Sequence, residues 1–201
     1  MARIKGLKLD SSNYSVKQEI DLEDLTGLDL SDEDALKNEI GQAIIDRIIA
    51  RTEAGESAYG GSLGKYSKSY EDSLDFKAFG KSNPVDLKLT GDMLGAIDIL
   101  EDRGSKLTIG LVGDLQNAKA YGHQTGMKGN PELEGKVRPR PWFGVGYDDI
   151  RSEILPQFQD ELRRVRRGQE QSQRAADLAA AEQALRDFIL QQNLVDDNGE
   201  G

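Results

Sequence analysis

Cysteine is absent from this 201-residue chain, so disulfides, thiol nucleophiles and cysteine-based zinc sites are excluded. Histidine occurs once, at His123, so any histidine acid–base chemistry would have to rest on that residue. With one His and no Cys, a metal site is limited to carboxylates for Ca²⁺ or Mg²⁺. No Asp-x-Asp-x-Asp-Gly loop is present to build one. Neither a metal nor a cofactor is expected. Apolar residues make up only 37% of the chain, and no run approaches the roughly 20 residues needed to cross a bilayer. The first residues, Met1-Ala2-Arg3-Ile4-Lys5, lack the apolar stretch of a secretory signal, which leads us to expect a product made in a cytoplasm.

Charge is plentiful, with 31% charged residues and a net charge of −10. Such a chain does not grip nucleic acid through its bulk field, because that requires clustered Lys and Arg. It is compatible with lining a passage along which DNA slides. The abundant carboxylates, Asp72, Asp75, Asp86, Asp92, Asp98, Glu101 and Asp102 among them, do not by themselves mark a catalytic pair, since side-chain separation decides that chemistry. A solvated acidic surface accounts for them.

Residues 1–30 alternate weakly and predict an extended arm or edge strand, followed by an acidic linker over 21–34. A helix is predicted over 32–53, with Ser31 as its N-cap and Asp34 completing a short capping box. Leu36, Ile40, Ile44 and Ile48 then recur every four residues. Residues 55–64 read as a flexible loop of small residues. They do not form a phosphate-binding loop, because Tyr59 stands where the first Gly belongs and Tyr66 follows Lys65 in place of Ser or Thr.

A short helix is predicted within 67–79, and another over 91–97 with Thr90 as its cap. A hairpin should join 97–100 to 107–112, and a helix should cover 115–122. Residues 126–141, with three Gly and three Pro, predict an exposed loop. Trp142, Phe143 and Val145 predict a short buried strand that closes the sheet. Beyond residue 150, one amphipathic helix to about Arg167 and a second over 172–192 are predicted, broken at Gly168, with residues 196–201 frayed. Leu178, Ala181, Leu185, Phe188 and Ile189 share one face of the second helix. So narrow a stripe needs a partner surface.

The overall expectation is therefore an α+β protein with a small antiparallel or mixed sheet packed by a long helix. An N-terminal arm (1–30) would precede the core domain (31–149), and a C-terminal helical extension (150–201) would follow it. Arg163, Arg164, Arg166 and Arg167 form a basic cluster. Residues 151–174 carry six Arg against four acids, and 175–201 carry one Arg against six acids. This suits a complementary contact between copies, with a solvated helix face as the plain alternative.

Four blocks carry a resemblance. They are Tyr66-Ser67-Lys68-Ser69-Tyr70; Leu89-Thr90-Gly91-Asp92-Met93-Leu94; Tyr121-Gly122-His123-Gln124-Thr125-Gly126; and Arg138-Pro139-Arg140-Pro141-Trp142-Phe143-Gly144-Val145. In this order and spacing the chain resembles the tailed-phage virion-morphogenesis proteins, the neck or tail-completion family. The resemblance covers roughly residues 36–150. It implies a small α+β ring subunit at the head–tail junction, with a hexamer and a dodecamer both open. Other neck, connector and tail proteins would be its neighbours, and DNA would pass through the lumen without sequence-specific binding.

On this reading the protein is a virion component and not an enzyme. Tyr66, Tyr70, Trp142 and Phe143 would be core or interface anchors, and Thr90, His123, Arg138 and Arg140 structural residues of the same blocks. A tail terminator or assembly factor is the alternative, and a carboxylate-dependent hydrolase a more distant one. The C-terminal extension and the N-terminal arm depart from the family pattern.

Overall fold

The computed structural model describes residues 4–66, 68–78, 85, 87, 92–132 and 138–196. Thr90, its capped helix start and the second block as far as Gly91 lie outside the described residues, as does the side chain of Tyr70. The chain divides into two compact units, Met1–Gln159 and Asp160–Gly201.

The first unit is built on a four-stranded antiparallel sheet in the order β1-β2-β4-β3. Its strands are β1 (Leu7–Asp10), β2 (Ser15–Asp21), β3 (Ile97–Arg103) and β4 (Lys106–Leu111). The α+β expectation is met. Of the two expectations for the first thirty residues, an arm or an edge strand, β1 is an edge strand, while β2 lies inside the sheet with neighbours on both sides. The cause is the alternation Val16, Gln18, Ile20, all buried, which presents one face of β2 to the core. Gln18 pairs with Ile109 and Ile20 with Leu107 in register, and Ile99 faces Ile109 from the other side. The β3–β4 hairpin is as predicted, though its turn tightens to Gly104-Ser105. One β-bulge at Leu100 flips the register beyond Ile99.

The acidic stretch after β2 is also structured. Helix α1 (Leu22–Thr26) is capped by the Asp21 carboxylate, which accepts from the Asp24 N–H. Leu22, Leu25, Leu28 and Leu30 are buried while the acids between them face outward. Apolar residues spaced two or three apart override the linker-like composition.

Helix α2 (Asp34–Glu53) lies against β3 and β4 through Leu36, Ile40, Ile44 and Ile48. Its N-cap is Glu33, without a side-chain bond. Ser31 bonds Asp29 in a local turn and does not cap the helix. Gly41 lets the helix approach the sheet closely, since a Cβ there would sit 2.5 Å from the Ile99 Cδ1. Lys37 is buried, with its ammonium 2.6 Å from Asp102, 2.9 Å from Asp34 and 3.0 Å from the Gly104 carbonyl. That contact ties α2 to the hairpin turn with the charge paired on both sides.

Helices α3 (Lys68–Glu71) and α4 (Leu74–Ala78) follow, and Leu94–Ala96 is a single 3₁₀ turn. Helix α5 (Asp114–Thr125) packs on β2 and β4. Helix α6 (Tyr147–Asp149) leads into a π-helical turn at Ile150–Ile154 and a 3₁₀ turn at Leu155–Phe158. Pro156, which has no N–H to give a regular ladder, sits in that second turn.

The second unit is helical. Helix α7 (Gln159–Asp196) has 38 residues and runs unbroken through Gly168, against the predicted break there. The flanking Arg, Gln and Glu residues are good helix formers and outweigh one glycine, which costs a helix about 1 kcal/mol. Among the described residues no helix is apolar enough to cross a membrane.

Gly6 offers a sharp test of the sheet edge. Its φ is +76°, and a Cβ there would lie 1.8 Å from the Glu19 carbonyl oxygen. Gly6→Ala should destabilise the first unit by roughly 2 kcal/mol or more. Urea unfolding would measure this as a lower midpoint at unchanged slope.

Candidate functional site

The residues from Pro141 to Val145 are the centre of the site. Trp142, Phe143 and Val145 are each fully buried, with the Trp142 and Phe143 rings edge to face at 5.5 Å. They were predicted as a strand closing the sheet, but the segment pairs with no strand. Buried backbone groups must still find partners. Here three buried polar side chains supply them.

Gln124, on α5, accepts from both the Trp142 and Phe143 N–H groups at 3.0 Å. Arg51, on α2, donates through Nη2 to the carbonyls of Trp142 and Gly144, each at 2.7 Å. Gln18, on β2, accepts from the Val145 N–H and donates to the Val145 carbonyl, both at 2.9 Å. The Pro141 carbonyl accepts from the Ala58 N–H and from the Ser57 hydroxyl. One peptide segment thus joins α5, α2, the central sheet and the loop after α2.

That loop was predicted as flexible. It is closed internally by bonds from Ser57 to Gly61 and from Leu63 to Gly55, with Leu63 buried.

Described residues of the first and third blocks meet the fourth at the same place. The Arg140 N–H donates to the His123 carbonyl at 2.6 Å, and its guanidinium reaches the Lys65 carbonyl at 3.4 Å. The position of a Cβ on Gly64 lies 3.4 Å from the Arg138 guanidinium. The Tyr66 ring stacks edge to face on Phe76 at 5.4 Å. Tyr121 donates its hydroxyl to the Lys128 carbonyl and packs against Tyr14. Tyr66, His123, Arg138, Arg140, Trp142 and Phe143 therefore belong to one joint. Arg163, Arg164, Arg166, Arg167, Leu178, Leu185 and Phe188 lie in the second unit, all on exposed positions of α7.

The electrostatics of the joint are those of enclosed cations. Burial pushes His123 down to about 4, with the Arg140 charge adding to the effect, so the imidazole is neutral near pH 7. Among the described residues its buried Nδ1 has no hydrogen-bond partner. Burial lowers Arg51 to about 10, the neighbouring Arg47 adding to it and Asp149 and Glu56 opposing, so the group stays charged at neutral pH. Burial also lowers Arg140, opposed by Tyr66. Among the described residues no group of three or more His, Asp or Glu is placed to hold a metal ion.

Gln18, Arg51 and Gln124 were not singled out from the sequence. Two signals were present. Gln18 occupies an inward position of the β2 alternation, and Arg51 continues the α2 apolar stripe three residues after Ile48. Gln124 stood inside the His-Gln block, beside the more conspicuous His123.

The chain matches no protein-family model, no curated protein and no solved structure.

Two outcomes follow from this geometry. Gln124→Met would leave the Trp142 and Phe143 N–H groups buried and unpaired, costing about 2–4 kcal/mol in denaturant unfolding. For His123 the folded pKa lies below the ordinary value of 6.5. The unfolded chain therefore binds the extra proton first, and the contribution is intact above pH 6.5. It should be lost progressively as pH falls towards 4, by roughly 3 kcal/mol in all. His123→Gln should flatten that part of the stability–pH curve.

Proposed function

We propose that this protein is a ring-forming structural subunit of a tailed-phage virion, a neck or tail-completion protein at the head–tail junction. The observation that carries the reading is helix α7. Its Leu178, Leu185, Phe188 and Ile189 are exposed by 62, 60, 56 and 49%. Those positions share one face of a long helix, and four large apolar side chains on one stripe need cover from another surface. Association with further copies in a closing, head-to-tail arrangement supplies such cover.

The joint supports the same reading from another direction. The described residues of the first, third and fourth blocks are engaged in holding backbone and packing rings, which is the work of a scaffold. The α+β architecture is the one that the resemblance implies. With a net charge of −10, a lumen formed by such subunits would repel DNA, so that DNA passes without sticking. Other neck, connector and tail proteins are the partners in this picture, and the virion is the location.

The test is the mass of the full chain in solution by light scattering, with electron microscopy of the same sample. Closed rings are expected. Deleting 169–201 should abolish assembly or docking while circular dichroism shows the first unit still folded. A truncated chain that assembles and docks like the full one would overturn the proposal.

A further inference from the structure

A cavity of about 500 Å³ opens beside the joint, lined among others by Arg51, Glu56, Tyr59, Tyr147, Asp148 and Asp149. Lys5 and Arg47 also line it, but both are already neutralised. Lys5 bonds Asp24 and sits over the Tyr147 ring at 4.8 Å, while Arg47 pairs with Glu153 at 2.8 Å. Arg51 is 6% exposed, its Nη2 committed to two carbonyls and its Nε without a partner. Among the described residues, neither Glu56, Asp148 nor Asp149 forms an ion pair. Three carboxylates thus line the cavity beside one buried guanidinium. The cavity carries an excess of negative charge and has two tyrosine rings in its wall.

Carboxylates beside aromatic faces form a receptor for a guanidinium, which pairs with the oxygens in the plane and stacks on the ring. A volume of this size admits side chains and not a folded element. Within this chain, four arginines in five residues, Arg163, Arg164, Arg166 and Arg167, stand exposed at the start of α7, where Arg163 also pairs with Asp160 on its own helix. From this complementarity we infer that the cavity beside Arg51 receives arginine side chains from the Arg163–Arg167 run of a second copy. The inference rests on the assembly reading above and names the two surfaces that meet. A donor run on one copy and a receptor on the next make a heterologous contact, the kind that propagates around a ring. Such a contact weakens as salt is raised.

Two reversed chains test it. Asp148→Lys reverses the charge at the exposed rim of the receptor and leaves Glu56 and Asp149 to steady Arg51. Arg163→Glu, Arg164→Glu, Arg166→Glu and Arg167→Glu reverse the donor. Circular dichroism and unfolding should show both folded like the parent. Light scattering at matched concentration is expected to give at least a tenfold loss of assembled mass for each variant alone. Mixing the two should restore it, because each copy then meets an opposite charge. Assembly of either variant alone at parental levels would overturn the inference, as would a mixture of folded variants that stays unassembled. A parental chain that is monomeric at every concentration would instead remove the assembly reading, and this inference with it.

Discussion

The structure depends on how the Pro141–Val145 backbone is satisfied. A buried, extended peptide with no strand beside it would leave its N–H and C=O groups stranded, at about 1–3 kcal/mol each. Gln124, Arg51 and Gln18 take those groups one after another, each from a different element. The result is a cross-brace. Helix α5 is held to the segment by an amide, α2 by a guanidinium and β2 by a second amide. Trp142 and Phe143 can then bury their rings in full without an uncompensated polar backbone.

That arrangement explains why an arginine is tolerated near the core. Arg51 is desolvated enough for its pKa to fall to about 10, yet two carbonyl oxygens and the field of Asp149 and Glu56 keep it charged at neutral pH. A lysine would be a poorer substitute, since a guanidinium holds its charge against burial more firmly than an ammonium does. The same carboxylates that steady Arg51 line the adjacent cavity. The scaffold and the proposed receptor therefore share their charges.

The two units divide the work. The first has a hydrophobic core between α2 and the sheet, with the brace at its edge. The second is a helix whose large apolar side chains lie open, with basic residues gathered at its start and acids towards its end. A helix of that kind gains its stability from what covers it. This is the physical basis for reading the chain as a component of a larger assembly.

Local signals made much of this legible in advance. The four-residue recurrence from Leu36 to Ile48 determined α2, and the paired runs around Gly104 determined the hairpin, because near-neighbour periodicity and turn chemistry set both. Composition alone removed thiol and disulfide chemistry. The blocks around Tyr66, His123 and Trp142 were visible as a set, though their meeting in one place was not. Tertiary structure decided the rest. It took Ser15–Asp21 into the middle of the sheet because β4 offered β2 a second ladder. It also denied Trp142 and Phe143 a strand partner. The polar residues that hold the joint, Gln18, Arg51 and Gln124, are separated by tens of positions along the chain. Their role exists only where the fold brings three donors and acceptors to one unpaired backbone, and no local pattern encodes that.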